Sequence, residues 1–231
     1  MNSNKKIGIT GASGALGQAL TKRFKENGFK VIGFTHNKNF LKRNNDGSNN
    51  LIYWECGKEI LLKKHLKNID ILILNHGIYE INNQTMNFEN SIEINALSNL
   101  RILNIFEQIV LGNDDQLSQK EIWINTSEAE IFPAFNPSYE ISKLLIGQIV
   151  SFKKNLSKKL KIRKIILGPF KSELNPIGIL NPELVAFLIC LYSKMNIYLI
   201  IVSPNPISYI LFPLKEFYYY LYSKLLILLK K

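Results

Sequence analysis

Tyr139 and Lys143 stand four residues apart in a stretch, Asn136–Lys159, whose apolar spacing predicts a helix, so their side chains share one face. A phenol ordinarily holds its proton up to a pH of about 10. An ammonium beside it stabilises the phenolate and draws that value towards a working pH, which is what a general acid/base needs. A second constellation lies near the start of the chain. Lys6–Thr10 reads as a short apolar strand that runs into Gly11-Ala12-Ser13-Gly14-Ala15-Leu16-Gly17, and Leu16, Ala19, Leu20 and Phe24 then recur at helical spacing as far as Asn27-Gly28. A glycine turn between a strand and a helix lets the backbone approach a pyrophosphate, with the helix N-terminus supplying N–H groups and the positive dipole end. The spacing is GxxGxxG rather than GxGxxG, and no Gly-Lys-Ser/Thr follows, which excludes a P-loop.

The elements that must position these residues alternate. Strands are expected at Lys6–Thr10, Lys30–Thr35, Leu51–Trp54, Ile69–Leu74, Glu121–Thr126, Lys161–Leu167 and Ile197–Val202. Between them, Phe88–Leu111, Asn136–Lys159 and Asn181–Ser193 read as helices, and the polar, Asn-rich His36–Asn50 as a loop. Ile69–Leu74 is apolar on both faces, as a buried parallel strand is. The pattern predicts an α/β fold, a single Rossmann-type doubly wound parallel sheet of about seven strands, over residues 1–203. Residues 204–231 extend past the last strand as an amphipathic helical tail.

Composition narrows the function. The 231 residues include two cysteines, Cys56 and Cys190, and three histidines, which excludes a disulfide scaffold and a Cys/His zinc cluster. The opening MNSNKKIGIT lacks the apolar stretch of a signal peptide, so a cytoplasmic location is the expectation. The net charge of +11 is unevenly placed. Residues 1–150 carry 16 basic and 15 acidic side chains, residues 151–231 carry 13 and 3. Only four of the 29 basic residues are Arg, the residue suited to bidentate contacts with guanine and phosphate, which argues against nucleic acid as a partner.

Further motifs fall into order along the chain: Asp70 and Asn75-His76-Gly77 around the fourth strand, Asn95 on the next helix, Thr126-Ser127 ending the fifth strand, and Leu167-Gly168-Pro169-Phe170-Lys171-Ser172 after the sixth. With the glycine turn and Tyr139-Glu140-Ile141-Ser142-Lys143, this series resembles the short-chain dehydrogenase/reductase family over roughly residues 5–203, with glycine spacing like that family's extended and atypical branches. His76 stands where the family's NNAG motif has Ala, and Gly-Pro replaces its usual Pro-Gly.

The resemblance implies a nicotinamide coenzyme and hydride transfer between a carbonyl and an alcohol. It implies that Tyr139 is the acid/base, Lys143 its pKa modulator and a contact of the nicotinamide ribose, and Asn95 a proton-relay residue. Ser127, or its neighbour Thr126, orients the substrate oxygen. The coenzyme-binding set is Gly11, Ser13, Gly14, Ala15, Leu16, Gly17, Thr35, His36, Asn75, His76, Gly77, Lys143 and Pro169. An acidic residue ending the second strand would select NAD. Here Gly33-Phe34-Thr35-His36-Asn37-Lys38 offers no carboxylate, whereas Thr35, His36 and Lys38 suit a 2′-phosphate, so NADP is expected over NAD. Glu55-Cys56-Gly57 occupies the place of the family's Asp after the third strand. A catalytically silent, coenzyme-binding interaction protein is the alternative. Family members commonly pair the two long helices into a homodimer or homotetramer.

Leu184–Val202 is apolar enough to attract a membrane reading, but Ser193-Lys194-Met195-Asn196 interrupts it, and a last helix and strand of the core fit better. The tail interleaves Tyr209, Phe212, Phe217, Tyr218, Tyr219, Tyr220 and Tyr222 with Lys215, Lys224, Lys230 and Lys231. Amphipathic rings and lysines suit an anionic membrane surface, giving a peripheral anchor and making lipid-like substrates plausible. A helix docked on the domain or closing a dimer, and a nucleic-acid-binding tail, are the other readings. The basic run Lys153, Lys154, Lys158, Lys159, Lys161, Arg163 and Lys164 is expected to be the solvated end of a helix.

Overall fold

The computed structural model describes residues 5–44, 50–79, 87–112, 120–157 and 159–229. Seven parallel strands form one sheet: β1 (Lys6–Thr10), β2 (Lys30–Thr35), β3 (Asn50–Tyr53), β4 (Ile71–Leu74), β5 (Glu121–Ser127), β6 (Lys161–Leu167) and β7 (Leu199–Val202). Their spatial order is β3-β2-β1-β4-β5-β6-β7. The period of two divides the core between the faces. Ile7, Ile9, Ile71, Ile73 and Trp123 face one layer, with α1 (Ala15–Glu26) and, later in the chain, a helix at Pro182–Lys194. Leu72, Leu74, Ile122 and Ile124 face the other, where Ile102, Phe106 and Val150 pack. The winding direction reverses between β1 and β4, so a crevice opens there at the carboxyl ends of the strands. Asp70 lies at the opposite end, where its Oδ2 accepts from Lys6 N at 2.7 Å and ties β1 to the approach of β4.

The expected fold class holds, with local departures. The Asn-rich segment after β2 contains a short helix, α2 (Lys38–Arg43), because Asn37 Oδ1 caps it by accepting from Phe40 N at 2.9 Å. A brief α3 (Lys63–Leu66) precedes β4. The long helix expected over 88–111 is α4 (Phe88–Ile92) and α5 (Ser98–Leu111), joined by a π-helical turn at Glu93–Leu97 that contains Asn95. Next come α6 (Pro137–Leu156), begun by Asn136 as cap and Pro137, and α7 (Pro182–Lys194). Leu184–Val202 is thus α7 and β7, both packed into the core.

The basic run is not uniformly solvated. Arg163 and Lys164 lie in β6 and are buried, because their side chains reach carboxylates inside the fold. Arg163 Nε pairs with Glu121 Oε2 at 2.9 Å, and Lys164 Nζ with Glu130 Oε2 at 2.7 Å. Lys158, Lys230 and Lys231 fall outside the described residues.

The tail forms α8 (Ser208–Leu228), laid against α6. Its inner face carries Ser208, Phe212, Glu216 and Ser223. Phe212 fills a small apolar cluster with Ile166 and Ile201. Glu216 Oε1 accepts from Ser151 Oγ at 2.6 Å and from Lys164 Nζ at 3.0 Å. Tyr219 and Tyr222 meet Phe152 edge-on. No helix among the described residues is long and apolar enough to cross a membrane.

Candidate active site in the crevice between β1 and β4

The glycine turn follows β1 at the mouth of the crevice. Gly11 adopts φ +63°, and a Cβ there would meet the backbone of His76 at 2.9 Å. A Cβ on Gly17 would fall 2.1 Å from Gly11 O, so the first turn of α1 folds directly onto the loop. Gly14 occupies the N-cap of α1 with no side-chain cap, which leaves the first backbone N–H groups, Ala15 and Leu16 included, to an anionic ligand. These features fit a coenzyme pyrophosphate. Ser13 faces the end of β2, where Thr35 Oγ1 donates to Ser13 Oγ at 2.9 Å and accepts from Asn37 N. His36 is exposed beside them, and Lys38 Nζ rests over the Tyr53 ring. The carboxylate across from them, Glu55, is already bonded to Tyr53 and Lys58.

Beyond the turn, a cavity of about 540 Å³ is lined by Asn75, Gly77, Ser127, Tyr139, Lys143 and Pro169, among others. Ser127 ends β5, where its Oγ accepts from Ala129 N at 3.2 Å, and it lines the cavity together with Tyr139. The Thr126 hydroxyl donates to Ile165 O within the sheet at 3.2 Å. Lys143 Nζ lies 5.5 Å from the Tyr139 ring centroid. Asn95 Oδ1 accepts from Ile78 N at 2.8 Å, and its Nδ2 donates to Ile78 O and Ser142 Oγ, both at 3.0 Å. Gly77 must lack a side chain here, since a Cβ would sit 2.8 Å from Asn95 Oδ1.

Electrostatics follow from burial. Burial raises the Tyr139 phenol above its ordinary value, with the Ser127 hydroxyl acting in the opposite sense. Burial brings Lys143 down to about 8, against the pull of the Glu130 carboxylate. The isolated protein therefore favours the phenol, the form that donates a proton. The cavity's outer wall is apolar: Phe135 is 98% exposed and Ile177 91%, with Ile179 and Leu174 beside them.

Residues 7–151 match the NAD dependent epimerase/dehydratase family. The chain belongs to this family. Membership places it among NAD(P)-dependent enzymes and agrees with the short-chain dehydrogenase/reductase resemblance of its motifs. The chain is 40% identical over 224 residues to a monoglucosyldiacylglycerol epimerase of Synechocystis sp. (strain ATCC 27184 / PCC 6803 / Kazusa), covering 95% of this chain and 54% of that protein. It thus spans about half the length of this curated relative. Its fold matches a short-chain dehydrogenase from Burkholderia cenocepacia J2315 solved with NADP (TM-score 0.73, 14% identity, 87% and 90% of the two chains). It also matches a bulky-bulky ketone specific alcohol dehydrogenase from Comamonas testosteroni (TM-score 0.76, 15% identity, 96% and 95%).

Within this epimerase/dehydratase fold, His76 explains its own departure from Ala. Thr10 Oγ1 accepts from the backbone N–H groups of Asn75 and His76, donates to Ile73 O at 3.4 Å and lies 2.9 Å from His76 Nδ1, while Nε2 meets Ser98 Oγ at 3.2 Å. The imidazole is buried edge-on against Trp54 and clamps β1, β4 and α5 together. Burial, then the charge of Lys143, holds it neutral with a pKa of about 3. Pro169 O accepts from Ile179 N and Leu180 N and folds the following loop over the cavity. Sequence reasoning missed Tyr79, whose ring meets Tyr139 at 5.0 Å and whose hydroxyl donates to Ala134 O. It also missed Ser142 and Glu130, which bear on Asn95 and Lys143 from other elements. Ser142, inside the YxxxK motif on the Asn95 side, was the one that helical spacing could have shown.

Proposed function

We propose that the chain is an NADP(H)-linked epimerase acting at the cytoplasmic face of a membrane on the headgroup sugar of a glycolipid. The observation that carries this reading is the Ser127–Tyr139 hydroxyl pair, set at the floor of a cavity whose outer wall is apolar. A polar floor suits a sugar, and an apolar wall suits the acyl chains that follow it. The glycolipid epimerase activity of the 40% identical relative points to the same substrate class.

A bound nicotinamide would take up a hydride and return it. The residues of the chain supply the rest. Gly11–Gly17 and the first turn of α1 hold the pyrophosphate, and Lys143 the ribose. Ser127 Oγ holds the reacting sugar oxygen, and Tyr139 Oη takes the hydroxyl proton as the carbinol carbon becomes a carbonyl. Tyr139 Oη would return that proton to the same oxygen when the carbonyl is reduced again, so no net oxidation would result. Burial favours the phenol, so this first step needs the Lys143 ammonium close to Tyr139 Oη in the loaded site. Asn95 acts as a positioning residue, pinning Ile78 and Ser142 around that pair. The absence of a carboxylate at the end of β2 supports NADP over NAD, and paired dissociation constants test that preference.

The experiment supplies monoglucosyldiacylglycerol in detergent micelles with either coenzyme and separates the products by chromatography. Conversion to the sugar epimer without net coenzyme reduction is expected. Net reduction with a ketone as product would make the chain a simple dehydrogenase. No turnover with either coenzyme, despite coenzyme binding, would support the silent interaction protein.

A further inference from the structure

The docked face of α8 leaves an opposite face of unusual composition. Ile207, Ile210, Leu214, Phe217, Leu221, Leu225 and Leu228 recur every three or four residues, so they form one stripe along the helix. Each is between 50% and 67% exposed. At 100° per residue this stripe lies diametrically opposite Phe212, Glu216 and Ser223, the side chains that fasten α8 to the body. The flanks hold Tyr209, Tyr220 and Lys224 on one side and Tyr218 and Tyr222 on the other, where Lys215 turns inward to pair with Glu130 Oε2 at 2.8 Å. The only carboxylate of the helix, Glu216, is buried.

We infer that this stripe is a bilayer-binding surface, on which α8 lies in the interface plane with its flanking tyrosines and Lys224 at headgroup level. The inference rests on the glycolipid reading above and deepens it by naming the surface that meets the lipid. Three observations favour a bilayer over a second copy of the chain. A paired helix seam is bordered by charges of both signs that set register; here the described borders are rings and Lys224, with no exposed carboxylate. Lysines beside an apolar stripe complement anionic lipid, and tyrosine is enriched at membrane–water interfaces.

The third observation is continuity with the active cavity. Ser203 Oγ and Ser208 Oγ both donate to Glu128 Oε1, and Glu128 and Asn205 line the cavity. The first turn of α8 is thereby fastened to the cavity wall, next to Ser127. Ile207 and Ile210, at this end of the stripe, are exposed. A lipid headgroup entering the cavity would leave its acyl chains beside this surface.

The test is flotation of the full chain with vesicles of phosphatidylcholine, with and without phosphatidylglycerol, lacking any glycolipid substrate. Wild type should float with the anionic vesicles, and the double variant Phe217→Glu/Leu221→Glu should lose at least about tenfold of its bound fraction, since two apolar insertions are replaced by charge. Coenzyme binding by that variant, measured in solution, should equal wild type and shows that the fold survives. Equal flotation of both proteins would overturn the inference. So would failure of wild type to float, including the case in which it forms a dimer that the double variant dissociates. Because no substrate is present, flotation stands or falls separately from epimerase activity in micelles.

Discussion

The two ends of the chain distribute polarity in opposite ways. Through residue 150 the arrangement is largely conventional: Ile7, Ile9, Ile71 and Leu72 are sealed inside, and the partly exposed Arg101 covers the buried Glu59 and meets Glu93 at the surface. From residue 159 onward it inverts. Lys164 is 0% exposed among Glu130, Glu216, Ser151 and Gly147 O, while Ile207, Leu214 and Leu225 face outward. Burying an ammonium costs several kcal/mol unless every donor is matched, and here four partners surround it. Burial alone would push the Glu216 carboxyl up, but Lys164 and Lys154 overcome it and hold the group below its ordinary value. The buried charges fix where α8 sits, and the apolar residues that they do not use are left facing out. A surplus of charge in a sequence segment therefore does not describe that segment's surface.

The largest effect expected from breaking this contrast lies on the catalytic side. Tyr139→Phe should lower turnover by about 10²–10⁴-fold with coenzyme affinity unchanged, as removal of a general acid/base does; steady-state rates and a binding titration read both. Next is the buried charge cluster. Lys164→Met should cost about 3–5 kcal/mol in denaturant unfolding, because Glu130 and Glu216 remain buried without their partner. Replacing all three with apolar residues should recover most of that loss.

A smaller effect tests the polar clamp in the conventional half. Neutral His76 is favoured in the folded state, with a pKa of about 3 against 6.5 for the free side chain. Its contribution is complete above about pH 6.5 and is lost as pH falls from there towards about 3. Between neutral pH and about pH 5, wild type should lose about 2 kcal/mol more stability than His76→Ala, at roughly 1.4 kcal/mol per unit. Equal pH slopes would show that His76 is not the titrating group. The smallest effect belongs to the outer face of α8. Leu221→Glu should change unfolding free energy by no more than about 0.5 kcal/mol, as exposed positions do. A large loss would mean that this face is covered in solution.

How much of this was legible depends on how local each feature is. The glycine turn and YxxxK are readable because each needs fixed residue types at fixed spacing on one element. Asn95 was readable as a helix residue, but the π-helical turn beneath it was not, since it arises where the helix accommodates contacts with Ile78 and Ser142. His76 lies at the crevice with its motif and lines the cavity; that its imidazole is also clamped inward depends on Thr10 and Ser98, 66 and 22 residues away. The short helix after β2 was hidden by an Asn-rich composition, although Asn37 is itself the residue that starts it. The choice between Thr126 and Ser127 could not be made from two adjacent hydroxyls. Both residues border the cavity, but the strand pleat commits the Thr126 hydroxyl to Ile165 O.

The sequence by itself determined the alternation of strands and helices, the backbone turn that receives a pyrophosphate, and the order of the residues that bear chemistry, because short-range periodicity and steric freedom set these. Only the tertiary structure decided which face of α8 is buried, which basic residues are ion-paired within the fold, and that the Thr126 hydroxyl is spent on Ile165 O. Those outcomes depend on partners brought together across the sheet by packing, and burial sets the worth of each charge only after the partners have met.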